Sequence, residues 1–499
     1  MSGARLSSLE TVASGVRLPA YTPEDHGIGI VHLGVGAFHR AHQAVFTDDA
    51  LAARDGNGGG GDWRITGVSL RGTAIADALN PQNGLYTLLE RGEAGTNARI
   101  VASIAGVIAA TRDRPAVLAA LAAPGTRIVS MTVTEKAYGI DRASRSVVAD
   151  HPAIAADLEN PHAPIGVVGL LVEGLRLRRQ AGLAPFTVLC CDNLPENGRL
   201  IRSGVLDFAA RSEPGLRDWI DEHVAFPSTM VDRITPAVTE ATLADAVRLT
   251  GLDDLAAVET EPFSQWVIED RFPAGRPAWE AGGAIFVADV GPYERMKLRV
   301  LNGSHSLIAY TGFLAGHTYV RDVMGYQPLA RLVWRHMRAA AATLSPLEGI
   351  HFDDYCDALA SRFANPAIAH ETYQIAMDGT EKLPQRLLEP AVHALGHGQD
   401  IRPFAFAVAA WMRYCLGRGD DGAPYNLRDP REDEIRAAVA DVGSDAQATS
   451  GALHDLPGLF PAELKASARW RAMVDDPLAL MLEKGMGAAI AHEAARDPA

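Results

Sequence analysis

One local pattern constrains the fold of this chain more than any other: Gly27-Ile28-Gly29-Ile30-Val31-His32-Leu33 running into Gly34-Val35-Gly36-Ala37-Phe38-His39-Arg40. The first seven residues predict a buried strand. The apolar Ala44, Val45 and Leu51 predict a helix over residues 41–54. Strand, glycine turn and helix in that order form the βα unit of an α/β parallel sheet, and supply the context in which a dinucleotide is held. Gly34 permits the tight turn. Gly36 lets backbone N–H groups approach a pyrophosphate at a helix N-terminus. His39 stands where the usual fingerprint has its third glycine. Gly34, Gly36, Ala37, Phe38 and His39 are therefore candidate cofactor-binding residues, with a plain βα turn as the alternative at this point.

The chain continues as an α/β protein would. Residues 56–61, Gly-Asn followed by four glycines, predict a flexible surface loop, and residues 63–70 a second strand. An acid at that strand's end would hold the ribose of NAD. Here Arg71-Gly72-Thr73-Ala74 carries none. Arg71 could stack on adenine or meet a 2′-phosphate, or be a solvated loop arginine, so NAD is expected and NADP stays open. Further strands are predicted over 86–90, 99–107 and 127–133. The last of these delivers Thr134 and Glu135 to the carboxyl edge of the sheet, where ligands sit in open α/β folds. A helix over 165–180 precedes a strand over 186–191, which delivers Asp192-Asn193-Leu194-Pro195 to the same edge. Asn193 there is either an amide donor or part of an Asx-turn. Residues 226–236 read as a loop containing the adjacent pair Asp232 and Arg233, and the last strands are predicted over 261–269 and 284–290.

From that point the period changes from strand to helix. Helices are predicted over 293–315, 327–343, 352–364, 384–396, 401–417 and 430–441. The boundary falls at Gly291-Pro292, dividing a dinucleotide-binding domain (1–291) from a mostly helical one (292–499). The first helix carries Lys297, Asn302 and His305 in an apolar setting of Leu298, Val300, Leu301, Leu307 and Ile308. At about 100° per residue they fall near 0°, about 140° and about 80°, on one broad side. A desolvated lysine can accept a proton, and an amide beside it can stabilise a developing alkoxide. A snorkelling lysine and a core histidine are the plain alternative.

Composition narrows the class. A chain of 499 residues implies two or three domains. Its net charge of −15 argues against nucleic acid or an anionic membrane as partner. The four cysteines, Cys190, Cys191, Cys356 and Cys415, form no CxxC pair and have no metal-ligand spacing, which predicts reduced core thiols and no metal site. No signal-peptide pattern and no run of about 18 apolar residues occurs, so a cytoplasmic protein is expected.

Six segments in this order resemble the polyol-specific long-chain dehydrogenase family, which includes mannitol 2-dehydrogenases and fructuronate reductases (mannonate oxidoreductases). They are residues 34–43, residues 132–135, Cys191-Asp192-Asn193-Leu194-Pro195, residues 230–236, Glu261-Pro262-Phe263, and the Lys297-x4-Asn302-x2-His305 stretch. The resemblance implies a Rossmann-type domain followed by a helical substrate domain, with active-site residues from both. It implies nicotinamide-dependent, metal-independent oxidation of a secondary alcohol, by a monomer or small homo-oligomer. Lys297 matches the general acid/base. Asn193 and Asn302 match the amides that hold the reacting oxygen. His305 and Asp232 match substrate-positioning residues, Glu135 an acid near the lysine, and Lys382 a substrate-binding lysine.

Two positions depart from the mannitol branch. Gln374 stands where that branch has a substrate-contacting arginine, and Ala74 where it has an acid. The first points to another polar tail on the substrate, such as a sugar-acid carboxylate, which Lys382 and Arg386 could bind. D-Mannonate/D-fructuronate is then the expected pair, with mannitol/fructose or arabinitol-type polyols as alternatives. Two rivals remain: a short-chain-type Tyr293-x3-Lys297 pair with tyrosine as acid/base, and a cofactor-binding protein without turnover.

Overall fold

A computed structural model describes residues 4–53, 61–347 and 350–496. All but Gly61 of the glycine loop expected at 56–61 lies outside the described residues. The chain divides into two compact units, Met1–Gly291 and Pro292–Ala499.

The first unit is built on five parallel strands. They are β1 (Ile28–Leu33), β2 (Arg64–Ser69), β5 (Ile104–Ala109), β6 (Ile128–Met131) and β7 (Thr187–Cys190), in the order β5-β2-β1-β6-β7. All four pairings are parallel. Counted within the sheet this is 3-2-1-4-5, the doubly wound Rossmann order, whose topological switch point lies between β1 and β6. β6 and β7 are buried along their whole length, as strands covered on both faces must be. Val117, Leu121, Leu171 and Phe186 belong to one core cluster, and Ala44, Phe46, Trp266 and Trp279 to another.

The expected strand over 99–107 is two strands, β4 (Gly95–Val101) and β5. The two residues between them are captured from the side: Ala102 N–H donates to Asp48 Oδ1 (2.9 Å) and Ser103 Oγ to the Ala44 carbonyl (2.7 Å). The chain therefore changes sheets here, and β4 joins β3 (Tyr86–Gly92) and β9 (Val258–Thr260). The run 226–236, expected as loop, contains β8 (Thr229–Asp232), antiparallel to β10 (Gln265–Glu269), which also pairs with β11 (Ile285–Val287). The side chain of Asn197 holds the start of β8, accepting from Thr229 N–H (2.9 Å) and donating to its carbonyl (2.9 Å). Arg233 turns to Glu90 (2.7 Å) and the Ala41 carbonyl (2.6 Å). The first helix is also interrupted, into Ala37–Ala41 and Gln43–Ala52, because His42 leaves helical geometry (φ −127°, ψ −95°).

The second unit is helical. The helix Arg402–Tyr414 is buried from Pro403 onward and belongs to a core shared with Leu307, Val333, Leu388, Trp470 and Ile490. Helices at Ala446–His454, Ala468–Lys484 and Met486–Ala495 add to those expected from sequence. Two turns are π-helical: Lys297–Asn302, inside the run from Gly291 to Leu314, and Pro384–Leu388. They approach one another at Gly303, where a Cβ would lie 2.9 Å from the Arg386 carbonyl oxygen and 3.0 Å from His336 Nε2. Among the described residues no helix is long and apolar enough to cross a membrane.

Candidate functional site

In the sheet unit the switch point is shaped by backbone. Gly34 has φ +95°, and a Cβ there would stand 2.2 Å from the Thr132 carbonyl oxygen, so only glycine fits. At Gly36 a Cβ would meet nothing nearer than 4.0 Å, which leaves the turn open to an approaching group. Gly36 spends its own N–H on the Gly34 carbonyl (2.7 Å) and caps the helix that begins at Ala37. Phe38 stacks on His42 at 4.9 Å.

His39 sits elsewhere than its place in the fingerprint implied. It is fully buried beneath the turn, its ring stacked on that of His32 at 3.4 Å. There it fills the helix–strand packing position that a third glycine would leave open, so it supports the turn from within. His32 in turn meets Ser130 Oγ (2.8 Å), Thr132 Oγ1 (2.9 Å) and the Gly34 carbonyl (3.3 Å). Burial pushes the His32 imidazole down to about 3, so it is neutral at ordinary pH.

Beyond β6, Thr134 adopts φ +82°, ψ 147°. For a β-branched residue such backbone costs on the order of 1–3 kcal/mol and is kept where the surroundings enforce it. Glu135 follows on an exposed 3-10 turn, paired with Arg142. Beyond β7, Asn193 is exposed, and the next helix begins at Asn197. Asp232, the last residue of β8, is buried. Arg71 is exposed just after β2.

In the helical unit the π-turn carries Lys297 and Asn302 at its two ends, 8% and 6% exposed, and His305 follows one turn on at 7%. The separation expected on a regular α-helix does not hold here. The wider i→i+5 turn swings Asn302 toward the face of Lys297. Asn302 Nδ2 and His305 Nε2 are both buried with no hydrogen-bond partner among the described residues. The His305 ring lies 4.5 Å from Phe363 and 5.2 Å from His370. Burial holds its imidazole well below the usual histidine range, and the charges of His370, Arg386, Arg362 and Lys297 push it further the same way.

Lys382 donates to the Ile375 carbonyl (3.3 Å) and to that of Met377, with Asp378 3.8 Å away. Burial, then Arg386, lower its ammonium to about 8. Arg386 lies on the second π-turn, and Gln374 is exposed on the short helix Thr372–Ile375. Lys297, His305, Lys382 and Arg386, from two separate stretches of the sequence, thus fall into one electrostatic neighbourhood. Sequence reasoning missed His370, a lone histidine without a motif. It also passed over Asp192, whose signal was available as the acid beside Asn193 at a strand end. Among the described residues no group of three or more His, Cys, Asp or Glu side chains is placed to hold a metal ion, and all four cysteines are buried free thiols.

Comparison with known proteins gives a consistent picture. The profile described as the mannitol dehydrogenase Rossmann domain matches residues 28–281, and that of the mannitol dehydrogenase C-terminal domain matches 289–468. The chain is 44% identical over 442 residues to the uncharacterized oxidoreductase YeiQ of Escherichia coli (strain K12), covering 88% of this chain and 90% of that protein. It is 43% identical over 464 residues to the D-mannonate oxidoreductase of the same organism, covering 91% and 93%. The solved ternary complex of Pseudomonas fluorescens mannitol 2-dehydrogenase with NAD and D-mannitol superposes with a TM-score of 0.86 at 37% identity, covering 99% of this chain and 100% of that one.

Proposed function

The chain belongs to the mannitol dehydrogenase family of oxidoreductases acting on CH–OH donors, and from that premise we propose that it interconverts D-mannonate and D-fructuronate with NAD, without a metal. The observation that carries the reaction type is the buried Asn302 Nδ2, without a hydrogen-bond partner among the described residues, on the same π-turn as Lys297. An orphaned buried donor costs about 1–3 kcal/mol unless a ligand supplies its acceptor, and the oxygen of a reacting alcohol is such an acceptor.

The glycine turn fits a dinucleotide: a positive φ that only Gly34 tolerates, an open Gly36, and a helix starting at Ala37. Gly34, Gly36, Ala37 and Phe38 would hold the cofactor's phosphates, with His39 supporting the turn from beneath. Thr134 would lie toward the nicotinamide and Arg71 toward the adenosine. When bound, the nicotinamide supplies the hydride acceptor for oxidation and the donor for reduction. Lys297 Nζ, in its neutral form, takes the hydroxyl proton during oxidation and returns it during reduction. Asn193 and Asn302 donate hydrogen bonds to the same oxygen as it gains negative charge. Each such donor is worth about 3 kcal/mol in the transition state. In this reading His305 and Asp232 orient the neighbouring hydroxyls, and Glu135 takes the part of the family's acid.

The sugar-acid reading is supported by the cations Arg386 and Arg362 acting on His305, by Lys382 beside Arg386, and by the 43% identity to a D-mannonate oxidoreductase. Lys382 and Arg386 bind the carboxylate in this reading, with Gln374 in place of an arginine directed at a polyol hydroxyl. A mannitol/fructose reaction is the second reading, supported by the likeness to the mannitol complex.

The test offers fructuronate and fructose side by side with NADH and with NADPH, using Lys297→Ala as control. Turnover of fructuronate with NADH supports the proposal in full. Turnover of fructose alone returns the chain to the mannitol reading. Turnover of neither, with NADH still bound, favours a binding protein.

A further inference from the structure

Asp192 has been given no part in the chemistry, yet it stands one residue before Asn193. Its Oδ2 accepts from Val133 N–H (2.9 Å) and from the Tyr138 hydroxyl (2.6 Å), and its Oδ1 from Thr134 N–H (3.4 Å). The carboxylate follows β7, and all three donors follow β6. The ladder between these strands ends at Met131 paired with Cys190, and its last backbone bond is Cys191 N–H to the Met131 carbonyl (2.9 Å). Past that point this carboxylate takes over from the ladder in tying the two chain segments together.

Two functional features depend on the tie. Thr134 keeps a backbone conformation that a β-branched residue rarely adopts, and its N–H is among the donors that Asp192 engages. Asn193 projects from an exposed loop whose preceding residue is this anchored aspartate. Tyr138, buried with its hydroxyl also 3.4 Å from Cys190 Sγ, closes the arrangement from below. Burial raises the Asp192 carboxyl, while the hydroxyl and the two N–H donors favour its ionised form.

We propose that Asp192 is a positioning residue: a carboxylate latch that holds the Thr134 turn and the Asn193 amide in fixed register at the ends of β6 and β7. The inference rests on the reading above in which Asn193 holds the reacting oxygen. Its effect on kcat is carried by Asn193, so that effect must vanish when Asn193 is gone, while the tie to the Thr134 turn is read by hydrogen exchange.

The experiment is a double-mutant cycle on the full-length protein with Asp192→Asn, Asn193→Ala and the pair. An amide at 192 keeps the size but turns an NH2 group toward donors. Asp192→Asn is expected to lower kcat 10- to 100-fold, with the KM for the ketone changed less than threefold. Adding it to Asn193→Ala is expected to cost less than twofold more. Tyr138→Phe, which spares both backbone bonds, should cost less than fivefold. Hydrogen exchange gives a readout independent of turnover: in Asp192→Asn, peptides covering 132–138 and 191–195 should lose protection together. Multiplicative losses in the cycle, or full kcat in Asp192→Asn with only a lower melting temperature, would overturn the positioning role. Unchanged protection would overturn the latch, even if the wild-type protein turned over neither ketone and the substrate reading itself failed.

Discussion

At the carboxyl edge of the sheet unit, Asp192 takes three donors, and the His32 imidazole reaches two hydroxyls and a carbonyl. On the π-turn of the helical unit and the helix that follows it, Asn302 Nδ2 and His305 Nε2 are buried and reach nothing among the described residues. Satisfied networks make a rigid holder. Unmet buried nitrogens occur in both units, the His39 ring among them, but Asn302 and His305 have Lys297 and the Arg386 cation beside them, where a partner from outside can supply the acceptor. The comparison separates two tasks. The sheet unit holds a ligand by backbone shape that its polar networks keep in place. On the proposed function, the helical unit would keep side chains open for a reacting oxygen and an anionic tail.

The division breaks most easily at Lys297. Lys297→Ala should lower kcat by at least about 10³-fold, the scale of a lost general acid/base, while NADH binding followed by fluorescence stays intact. Lost NADH binding would mean that the helical unit also carries the cofactor. Asn302→Ala comes next. An oxyanion donor is worth about 10²–10³ in kcat, and deleting a donor that has no internal partner should leave the melting temperature within a few degrees of wild type. A large drop in stability with normal kcat would make Asn302 structural and erase the contrast.

Gly34→Ala tests the other side. Its Cβ would stand 2.2 Å from the Thr132 carbonyl oxygen at φ +95°, a strain of at least about 1–3 kcal/mol. NADH affinity should fall at least about tenfold, since about 1.4 kcal/mol is a factor of ten, while kcat at saturating NADH moves much less. The smallest effect sharpens the contrast in charge. Lys382 titrates at about 8, so its cation is present below that pH and lost above it. From pH 7 to 9, kcat/KM for fructuronate should fall several-fold more than kcat/KM for fructose, and Lys382→Met should flatten the difference. Parallel profiles would remove Lys382 from carboxylate recognition.

What could be read from sequence was what short windows encode. The strand and the Gly34-x-Gly36 turn stand where the pattern puts them, because a tight positive-φ turn and a buried parallel strand are decided by adjacent residues, whereas the helix expected from residue 41 starts at Ala37 and breaks at His42. The helical character after Gly291 followed from a change of period. Loop-like reading of 226–236 failed because Pro227 and Pro236 bracket a strand whose pairing partner, β10, begins more than thirty residues later at Gln265. A single strand over 99–107 failed because Asp48 and the Ala44 carbonyl, distant in sequence, capture its middle.

By itself the sequence determined that the chain begins with a dinucleotide-type βα turn and later sets a lysine, an amide and an imidazole close together on a helix. Tertiary structure alone decided that this helix opens into a π-turn and that a second π-turn packs closely against it at Gly303. It alone gathered His370, Lys382 and Arg386 about His305, turned His39 inward beneath the cofactor turn, and laid the Asp192 carboxylate across the ends of two strands. The physical reason is one of range. Backbone conformation answers to neighbours in the chain, whereas the convergence of charges and the choice of which buried donors go unmet answer to residues that only folding brings together.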